Sequence, residues 1–463
     1  MSLANRSLVT VDDLSNAEIE AVFALADEMS ESMGEQSGVC QGKVMASLFF
    51  EPSTRTRLSF EAAMHRLGGC VISAVDVGAT SLAKGESIAD MARVVGSYAD
   101  IIVMRHPWEG AAKVVADYAG VPVINAGDGG HEHPTQTLLD LYTLRKERQT
   151  IKGLKIALWG DLKYGRTVHS LAYALARFGA TILFRSAPGL EIPEHVLRKL
   201  TTEYKGELRR LETTDHAAED KVFAVDAMYI TPSSPHQLAM MPDISIEIEL
   251  QKGVDALYVT RIQRERLTTE AEGTERYPVV DRRLLKGKEF RETLVMHPLP
   301  RVDELAREMD ADPRSMYFKQ AALGVPVRMA LISLLLAAKT ADVLEDEGRD
   351  FVRRVHYPIY NRDFGVRCHN PRCVAFNEER YINPEFEIVS RRPLTLRCVY
   401  CEHETLPKYI ASSEWHEGTL EKKRYHSSRS HWLQRIKPDN LIVFDSESEA
   451  QSHGFKPGRY ADR

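Results

Sequence analysis

Short apolar runs alternate with helix-like segments over the first 340 residues of this 463-residue chain, and this alternation constrains the fold more than any other feature. The predicted strands are Val44–Phe50, Val71–Asp76, Ile101–Met104, Val121–Ile124, Leu154–Trp159, Thr181–Phe184, Ala256–Thr260 and Thr293–Met296. Strands separated by helices pair in parallel, with helices covering both faces of the sheet. We therefore predict an α/β fold with two doubly wound parallel-sheet domains, followed by a long apolar helix over Tyr317–Ala338.

Shifts in composition suggest how the whole chain is organised. The predicted boundaries are two α/β domains over 1–150 and 151–340, a charged linker over 341–366, a small β module over 367–408 and a polar tail over 409–463. The segment from about Lys221 to Lys252 is interpreted as an insertion into the second domain.

The overall composition is that of an ordinary globular protein. Hydrophobic residues make up 43% of the chain and charged residues 27%, which excludes a disordered or collagen-like chain. The longest apolar run, Met329–Ala338, is about half of what a membrane-spanning helix needs. The first residues lack the apolar core of a secretory signal, so we expect a cytoplasmic protein with no membrane partner. The net charge of −6 argues against nucleic-acid binding by bulk charge.

Four of the six cysteines form two close pairs, with the spacing Cys368-x4-Cys373-x24-Cys398-x2-Cys401. In a reducing compartment such pairs indicate a metal rather than disulfides. Four thiolates make a closed tetrahedral set, so the pattern predicts structural zinc. Two disulfides or four idle thiols are the alternatives.

The segment from Pro52 to Arg57 lies between a predicted strand and a predicted helix. A helix N-terminus presents unpaired N–H groups and a partial positive charge, which favours an anion. The hydroxyls of Ser53, Thr54 and Thr56 and the guanidinium of Arg55 add donors that suit a phosphate. The alternative is a helix cap followed by a solvated basic turn.

Further polar residues follow other strands, where ligands gather in open α/β sheets. Arg105 ends the third strand, and His133 and Gln136 follow a glycine-rich loop that also holds His131. His133 could polarise a carbonyl oxygen; a metal site and solvent-exposed histidines are the alternatives. Lys84 lies on a small-residue loop that could close over an anion, or it is an ordinary exposed lysine.

The second predicted domain repeats this pattern at its own strand ends. The residues concerned are Gly160–Arg166, Arg261, Gln263 and His297–Arg301. Arginines at strand ends of both domains indicate two anionic substrates held between the domains. No residue pattern for a nucleophilic triad or a P-loop competes, so a transfer reaction driven by proximity and charge stabilisation is favoured.

These motifs, in this order, resemble the catalytic chain of the aspartate carbamoyltransferase family across residues 1–340. They are Ser53–Arg57, Met104–Pro107, His133–Gln136, Gly160–His169 and His297–Arg301. The resemblance implies transfer of the carbamoyl group of carbamoyl phosphate to L-aspartate in pyrimidine biosynthesis. It also implies a homotrimer with active sites shared between subunits; whether trimers pair further is left open.

The resemblance also assigns roles to residues. Arg55, Thr56, Arg105 and His133 would be catalytic, and the departing phosphate would accept the amine proton. Carbamoyl phosphate would contact Ser53, Thr54, Arg55, Thr56, Ser81, Arg105, His133, Gln136, Leu299 and Pro300. Aspartate would contact Lys84, Arg166, Arg261 and Gln263, with Ser81 and Lys84 arriving from a neighbouring subunit.

Three other functions were weighed against this one. Ornithine carbamoyltransferases share the Ser53–Arg57 signature, but typically carry a cysteine in the loop that here reads His297–Pro300, and lack the Lys84 loop and the Arg261-x-Gln263 pair. An inactive assembly subunit would not need intact polar ligands. A zinc-dependent nucleic-acid binder is prompted by Lys422-Lys423-Arg424, but is disfavoured by the acidic balance.

The cysteine module resembles the zinc domain of the family's regulatory chain, fused here behind the catalytic chain. The segment between the apolar helix over Tyr317–Ala338 and Cys368 is too short to hold that subunit's nucleotide-binding domain. No CTP or ATP site of that type is therefore expected. The tail, over 425–457, weakly resembles a small metal-binding module without its cysteines, which predicts a packing or partner module.

Overall fold

The computed structural model describes residues 3–75, 81–148, 151–163, 166–186, 189–204, 208–210, 225–231, 253–261, 279–340, 352, 355–362, 364–414 and 423–458. Two compact units emerge from the contacts. The first comprises residues 1–76, 95–105 and 121–353, and the second comprises 77–94, 106–120 and 354–463.

A four-stranded sheet in the order β2-β1-β3-β4 is formed by the first part of the chain. Its strands are β1 (Val44–Phe49), β2 (Cys70–Val75), β3 (Ile101–His106) and β4 (Val123–Asp128). The helices along this part are α1 (Asn16–Glu31), α2 (Thr54–Arg66), α3 (Ile88–Gly96), α4 (Ala111–Tyr118) and α5 (Pro134–Arg148). β1 pairs in parallel with both β2 and β3. The order reverses between β1 and β3, which opens a crevice at their carboxyl ends.

The second sheet has the order β10-β9-β8-β5-β6-β7, with every neighbouring pair parallel. Its strands are β5 (Lys155–Gly160), β6 (Thr181–Ser186), β7 (Leu208–Arg210), β8 (Ala227–Thr231), β9 (Ala256–Val259) and β10 (Leu294–Met296), with helices α6 (Arg166–Arg177) and α7 (Glu194–Glu203). Here the order reverses between β5 and β8. Both sheets therefore offer a ligand crevice at the carboxyl ends of their strands.

Helix α8 (Tyr317–Leu335) packs against α1, α2, α5 and β10, and so joins the elements of both parallel sheets. By length and composition it could cross a membrane, but 72% of its most apolar window is buried inside the protein. It is therefore a core helix, as its contacts require.

The second unit contains two small sheets. The first has the order β11-β12-β13-β14, with neighbours antiparallel. Its elements are β11 (Ile359–Tyr360), α9 (Val374–Asn377), β12 (Phe386–Arg391), β13 (Leu394–Cys398) and β14 (Glu404–Thr405). The tail forms the other, in the order β17-β15-β16-β18, from β15 (Tyr409–Ser412), β16 (Arg424–Ser427), β17 (Leu441–Phe444), α10 (Glu447–Ser452) and β18 (Lys456–Pro457).

The tail sheet is held to the cysteine-bearing sheet by arginines that donate to backbone carbonyls. Arg391 donates to Leu433 and Ile436, and Arg362 Nε donates to the Leu441 carbonyl at 2.8 Å. The tail has its own core around Tyr425 and Phe444. It is thus a folded module that packs on its neighbour.

The predicted fold class is confirmed: two parallel-sheet α/β domains and a small β module are present. One interpretation needs correction. The sequence predicts an insertion over Lys221–Lys252, but the described part of this segment includes β8, which is buried at the centre of the second sheet. The rest of that segment and most of the predicted linker lie outside the described residues.

Candidate functional site

The loop between β1 and α2 builds an anion site from the helix N-terminus. Ser53 is the N-cap of α2, and its hydroxyl makes no capping hydrogen bond to the helix. The first intrahelical bond runs from Arg57 N–H to the Ser53 carbonyl, so the N–H groups of the preceding three residues point out of the helix end. No acidic residue lies in this first turn, and Thr56 is buried while Arg55 is exposed. The site is suited to a phosphate.

Cationic side chains from the two parallel sheets approach one another at this point. Arg55 is exposed as a residue, but partial desolvation of its guanidinium lowers its pKa, and the positive charge of Arg261, which follows β9, lowers that pKa further. Burial also lowers the pKa of His297, which follows β10. The charges of Arg301 and Arg55 lower this pKa further, whereas the hydrogen bond and charge of Glu304 raise it. Like charges so placed are stabilised by an anionic ligand between them.

Arg105 and His133 form a buried pair beside β4. Arg105 lies opposite Phe49 in the register of β1 and β3, and its guanidinium contacts the Ala126 carbonyl at 3.3 Å and Glu51 at 3.2 Å. At Gly127 an added Cβ would lie 3.0 Å from Arg105 Nη1 and 3.3 Å from His133 Cδ2. The two side chains therefore share the space that a glycine leaves free.

The loop before α5 is fixed by its own polar side chains. Asp128 Oδ1 accepts from Asn125 Nδ2 and from Glu132 N–H, both at 3.0 Å, and its Oδ2 lies 3.0 Å from His131 Nδ1. His131 is thereby engaged in the loop itself, which disfavours the alternative of a metal site there. His133 follows, and Gln136 lies in the first turn of α5.

The loop after β10 presents backbone groups in a fixed conformation. The Leu299 N–H donates to His297 Nδ1 at 2.8 Å, so His297 Nε2 carries the proton and donates to Glu304 Oε1 at 2.8 Å. Leu299 has φ +54, and the Leu299–Pro300 peptide bond is cis. His297 and Glu304 thus stabilise a short turn, and the backbone of Leu299 and Pro300 in this turn is predicted to contact carbamoyl phosphate.

The structure brings together most, but not all, of the predicted substrate ligands. Ser53, Arg55, Thr56, Arg105, His133, Gln136, Arg261 and Leu299 all lie in the first unit, at the ends of strands or in the first turns of helices. Arg166 begins α6, but its side chain, the side chain of Ser81 and all of Gln263 lie outside the described residues. Lys84 is exposed and belongs to the second unit.

Sequence reasoning missed two residues of this site. Gly127 was not singled out, because only the tertiary structure shows which side chains its missing Cβ makes room for. Asp140 was also missed; its carboxylate accepts from Gln136 Nε2 at 2.8 Å. The spacing of four residues on one helix would have signalled that contact.

The four predicted metal ligands converge in the second unit. The sulfur atoms of Cys368, Cys373, Cys398 and Cys401 are all buried and lie within 4.8 Å of one another. Their closest pairs are 3.5 Å and 3.8 Å apart, against about 3.8 Å for sulfurs at the corners of a tetrahedral Zn–S site. Hydrogen bonds from the other three thiols lower the pKa of Cys398 well below its ordinary value. The donor set therefore fits a structural zinc ion.

This cysteine module is tied by its main chain to the segment before α4. Glu109 N–H donates to the Arg372 carbonyl at 2.8 Å, and Val374 N–H donates to the Glu109 carbonyl at 2.9 Å. Asn370 Nδ2 adds a bond to the Glu109 carboxylate at 2.5 Å. At Gly110, an added Cβ would lie 2.6 Å from Tyr400, so the close approach requires a glycine there.

Comparisons with known proteins agree with this arrangement. The aspartate/ornithine carbamoyltransferase carbamoyl-P binding domain matches residues 6–146, and the Asp/Orn binding domain matches 234–335. The metal-binding domain of the aspartate carbamoyltransferase regulatory chain matches 359–410.

Similar whole proteins include the aspartate carbamoyltransferase catalytic subunit of Thermococcus kodakarensis, 46% identical over 73% of this chain and 98% of its own length. The catalytic subunit of M. jannaschii aspartate transcarbamoylase has a TM-score of 0.55 at 40% identity, covering 72% of this chain and 98% of that one. Aspartate transcarbamoylase from Trypanosoma cruzi in complex with carbamoyl phosphate has a TM-score of 0.58 at 36% identity, covering 72% and 97%.

The chain has two parallel sheets with cationic residues at their strand ends and a helix N-terminus suited to a phosphate. Together with the two domain matches, these features place it in the carbamoyltransferase class. Within that class, the identity to curated catalytic subunits over nearly their full length decides the assignment. The chain belongs to the aspartate carbamoyltransferase family, and it carries the regulatory-chain metal-binding domain on the same polypeptide.

Proposed function

We propose that this protein is a cytoplasmic enzyme of pyrimidine biosynthesis that transfers the carbamoyl group of carbamoyl phosphate to the amine of L-aspartate. The products are N-carbamoyl-L-aspartate and phosphate. The observation that carries the proposal is the approach of Arg261 to Arg55, at the phosphate-binding end of α2. Guanidiniums brought together from different sheets favour anionic ligands at this point.

Carbamoyl phosphate is bound by the first sheet. The N–H groups and hydroxyls of Ser53, Thr54 and Thr56, together with Arg55, hold the phosphate. Arg105 and His133 direct donors at the carbamoyl oxygen, where negative charge grows as the carbonyl carbon becomes tetrahedral. Gln136 and the carbonyls of Leu299 and Pro300 accept hydrogen bonds from the carbamoyl NH2.

Aspartate is bound by the second sheet. Arg166, Arg261 and Gln263 take its carboxylates, and Ser81 and Lys84 complete the site from a neighbouring subunit. The amine attacks the carbamoyl carbon, the bond from that carbon to the phosphate oxygen breaks, and the phosphate leaves. The amine proton passes to the departing phosphate, which is the strongest base in contact with it.

The neighbouring subunit is a second copy of this chain, in a homotrimer. The support is a set of exposed apolar side chains along the edge of the first sheet. Ile72 and Val75 on the edge strand β2 are 42% and 43% exposed, and Leu58 on α2 is 50% exposed. Exposed apolar side chains grouped in this way mark an association surface.

Zinc has a structural role in this scheme. Cys368, Cys373, Cys398 and Cys401 occupy all four positions of a tetrahedral ion and leave none open for chemistry. Metal binding stabilises the small module, since the ion joins its two cysteine pairs.

The test is a colorimetric assay of carbamoyl-aspartate with purified protein, run beside an identical assay with ornithine. Turnover with aspartate alone is expected, and Arg105→Ala should lower kcat by at least a hundredfold. Turnover with ornithine alone, or equal activity of wild type and the variant, would overturn the proposal.

A further inference from the structure

Asp140 is the hub of a buried hydrogen-bond network that links three elements of the first unit. Its carboxylate is 2% exposed and accepts from Gln136 on α5, from Gln320 on α8 and from Tyr258 on β9. The distances are 2.8 Å to Gln136 Nε2, 2.8 Å to Gln320 Nε2 and 3.1 Å to the Tyr258 hydroxyl. All three partners are donors, which suits an ionised carboxylate.

The hydrogen bond from Gln136 Nε2 to Asp140 decides which end of the Gln136 amide faces the substrate. A glutamine side chain carries a donor NH2 at one end and an acceptor oxygen at the other. Because a carboxylate only accepts, Gln136 must present its NH2 to Asp140. Its oxygen is then directed away, as an acceptor for a donor ligand.

The Asp140 carboxylate is also connected to the loop after β10 by a chain of hydrogen bonds. Gln320 gives its NH2 to Asp140, and its oxygen accepts the His297 N–H at 3.2 Å. His297 in turn accepts the Leu299 N–H at 2.8 Å. Asp140 thereby positions both groups of acceptors predicted for the carbamoyl NH2, the Gln136 oxygen and the carbonyls of the Leu299–Pro300 turn.

We propose that Asp140 is a positioning residue that makes the site selective for carbamoyl phosphate over acyl phosphates that lack an N–H. The proposal rests on the function given above and deepens it. A methyl group in place of the NH2 leaves both sets of acceptors without a donor, and unpaired buried polar groups reject such a ligand strongly.

Acetyl phosphate is the probe, because it differs from carbamoyl phosphate by a methyl in place of the NH2. Asp140→Asn keeps the size of the side chain but supplies a donor, so that the Gln136 amide can turn over. In this variant the KM for carbamoyl phosphate should rise about tenfold, while the inhibition constants of acetyl phosphate and inorganic phosphate change by less than about twofold. Gln136→Ala removes one of the two acceptor groups. Adding Asp140→Asn to it should therefore cause a smaller further loss of selectivity than Asp140→Asn causes in wild type, because only the Leu299–Pro300 turn is left to respond.

Glu147→Gln is the matched control. Glu147 is the other carboxylate that joins α5 to α8, through Lys319 at 2.7 Å, and its removal should leave the selectivity unchanged. An equal weakening of all three ligands in Asp140→Asn would show a merely structural role and overturn the proposal, as would an unchanged selectivity. Failure of the proposed function is a different result, in which wild type itself makes no carbamoyl-aspartate.

A second measurement on wild type does not depend on any variant folding. Burial raises the pKa of Asp140 to about 7, opposed by its three donors and by the charge of Arg328. Among the described residues, the charge of Asp140 also raises the pKa of Tyr229 on β8 and of Tyr258 on β9. Selectivity for carbamoyl over acetyl phosphate should therefore fall as the pH is lowered from 8.5 to 6, as Asp140 gains a proton, and Gln136→Ala should show a smaller fall. A flat profile in wild type would contradict the proposal.

Discussion

The Glu378 carboxylate accepts the Ile88 N–H with both of its oxygens, at 2.9 and 3.0 Å. Ile88 begins α3, which also has Ser87 Oγ accepting from Asp90 N–H at 3.1 Å. Glu378 directly follows the short helix α9, which begins next to Cys373 of the candidate metal site. The metal module thus caps the helix that follows the Lys84 loop.

Removal of this cap should weaken the binding of aspartate rather than the binding of carbamoyl phosphate. Glu378→Ala removes an N-terminal helix cap worth about 1 kcal/mol, which loosens the segment that carries Lys84. We expect the KM for aspartate to rise several-fold while phosphate inhibition is unchanged. Glu379→Ala is the control, because Glu379 is exposed and pairs only within the module, with Arg367. Equal effects of the two variants would count against the link.

Gly127→Ala should abolish activity without unfolding the protein. Its Cβ would push on Arg105 and His133, and Gly127 has φ +114, a conformation that costs an alanine about 1 kcal/mol or more. We expect kcat to fall at least a hundredfold. Gly153→Ala separates the two causes, because Gly153 has φ +80 but no atom within 4 Å of an added Cβ. That control should lose thermal stability and keep its kcat; a similar loss of kcat in both would contradict the packing argument.

Two buried groups should give stability opposite dependences on pH. Burial lowers the pKa of His169 to about 4, and its Nε2 contacts the Leu162 carbonyl at 2.8 Å. Between pH 4 and 6.5 the unfolded chain binds a proton that native His169 does not, so this group makes stability fall as the pH is lowered. Native Asp140, with its pKa raised to about 7, holds a proton that the unfolded chain releases above about pH 4, so it makes stability rise as the pH is lowered.

Single variants should expose each contribution in urea unfolding measured from pH 4.5 to 6.5. In Asp140→Asn the unfolding free energy should decrease more steeply on acidification than in wild type. In His169→Gln the unfolding free energy should decrease less steeply on acidification than in wild type. The limiting change for one group is about 1.4 kcal/mol per pH unit. Parallel profiles for wild type and both variants would show that neither group keeps its shifted pKa.

Thiol reactivity should report the zinc site directly. Cys70 is exposed in the single chain, whereas burial raises the pKa of Cys40 to about 11 and the other four cysteines form the candidate metal site. With zinc bound, Ellman's reagent should modify at most one thiol quickly, because Cys70 lies on β2 at the proposed trimer interface, and Cys70→Ser should remove any such phase. A chelator should release about one zinc per chain and make four more thiols reactive. Four thiols that react quickly before chelation would argue against the metal site.

The exposed edge strand β2 should control the oligomeric state. Ile72→Glu places a charge among the exposed apolar side chains of this edge and should convert the trimer to smaller species in sedimentation velocity, with loss of activity because Ser81 and Lys84 then reach no neighbour. Val279→Glu is a matched control, since Val279 is 40% exposed against 42% for Ile72 and is next to Val280, which pairs with Leu305 rather than with β2. A trimer that survives Ile72→Glu would place the interface elsewhere.

Local patterns predicted most strands of the two parallel sheets to within a few residues, and their failures have a physical cause. The fourth strand was predicted over Val121–Ile124 but runs over Val123–Asp128, because Asn125 and Asp128 are buried polar residues inside it. Asn125 Nδ2 donates to the Val9 carbonyl at 2.9 Å and to Asp128. Hydrogen bonds to distant residues make such a strand stable, and an apolar pattern cannot show them.

The sequence by itself determined the α/β fold class, the polar residues at the strand ends and the four cysteines of the metal site, since hydrophobic period and ligand spacing are local properties. The tertiary structure decided which of these groups meet. Gln136 and Asp140 are one helical turn apart, but Tyr258 and Gln320 lie far along the chain, and their donors reach Asp140 only after the second sheet and α8 have packed. Glu378 meets Ile88 in the same way, across 290 residues. Contacts of this kind depend on how whole elements pack, and no local pattern encodes them.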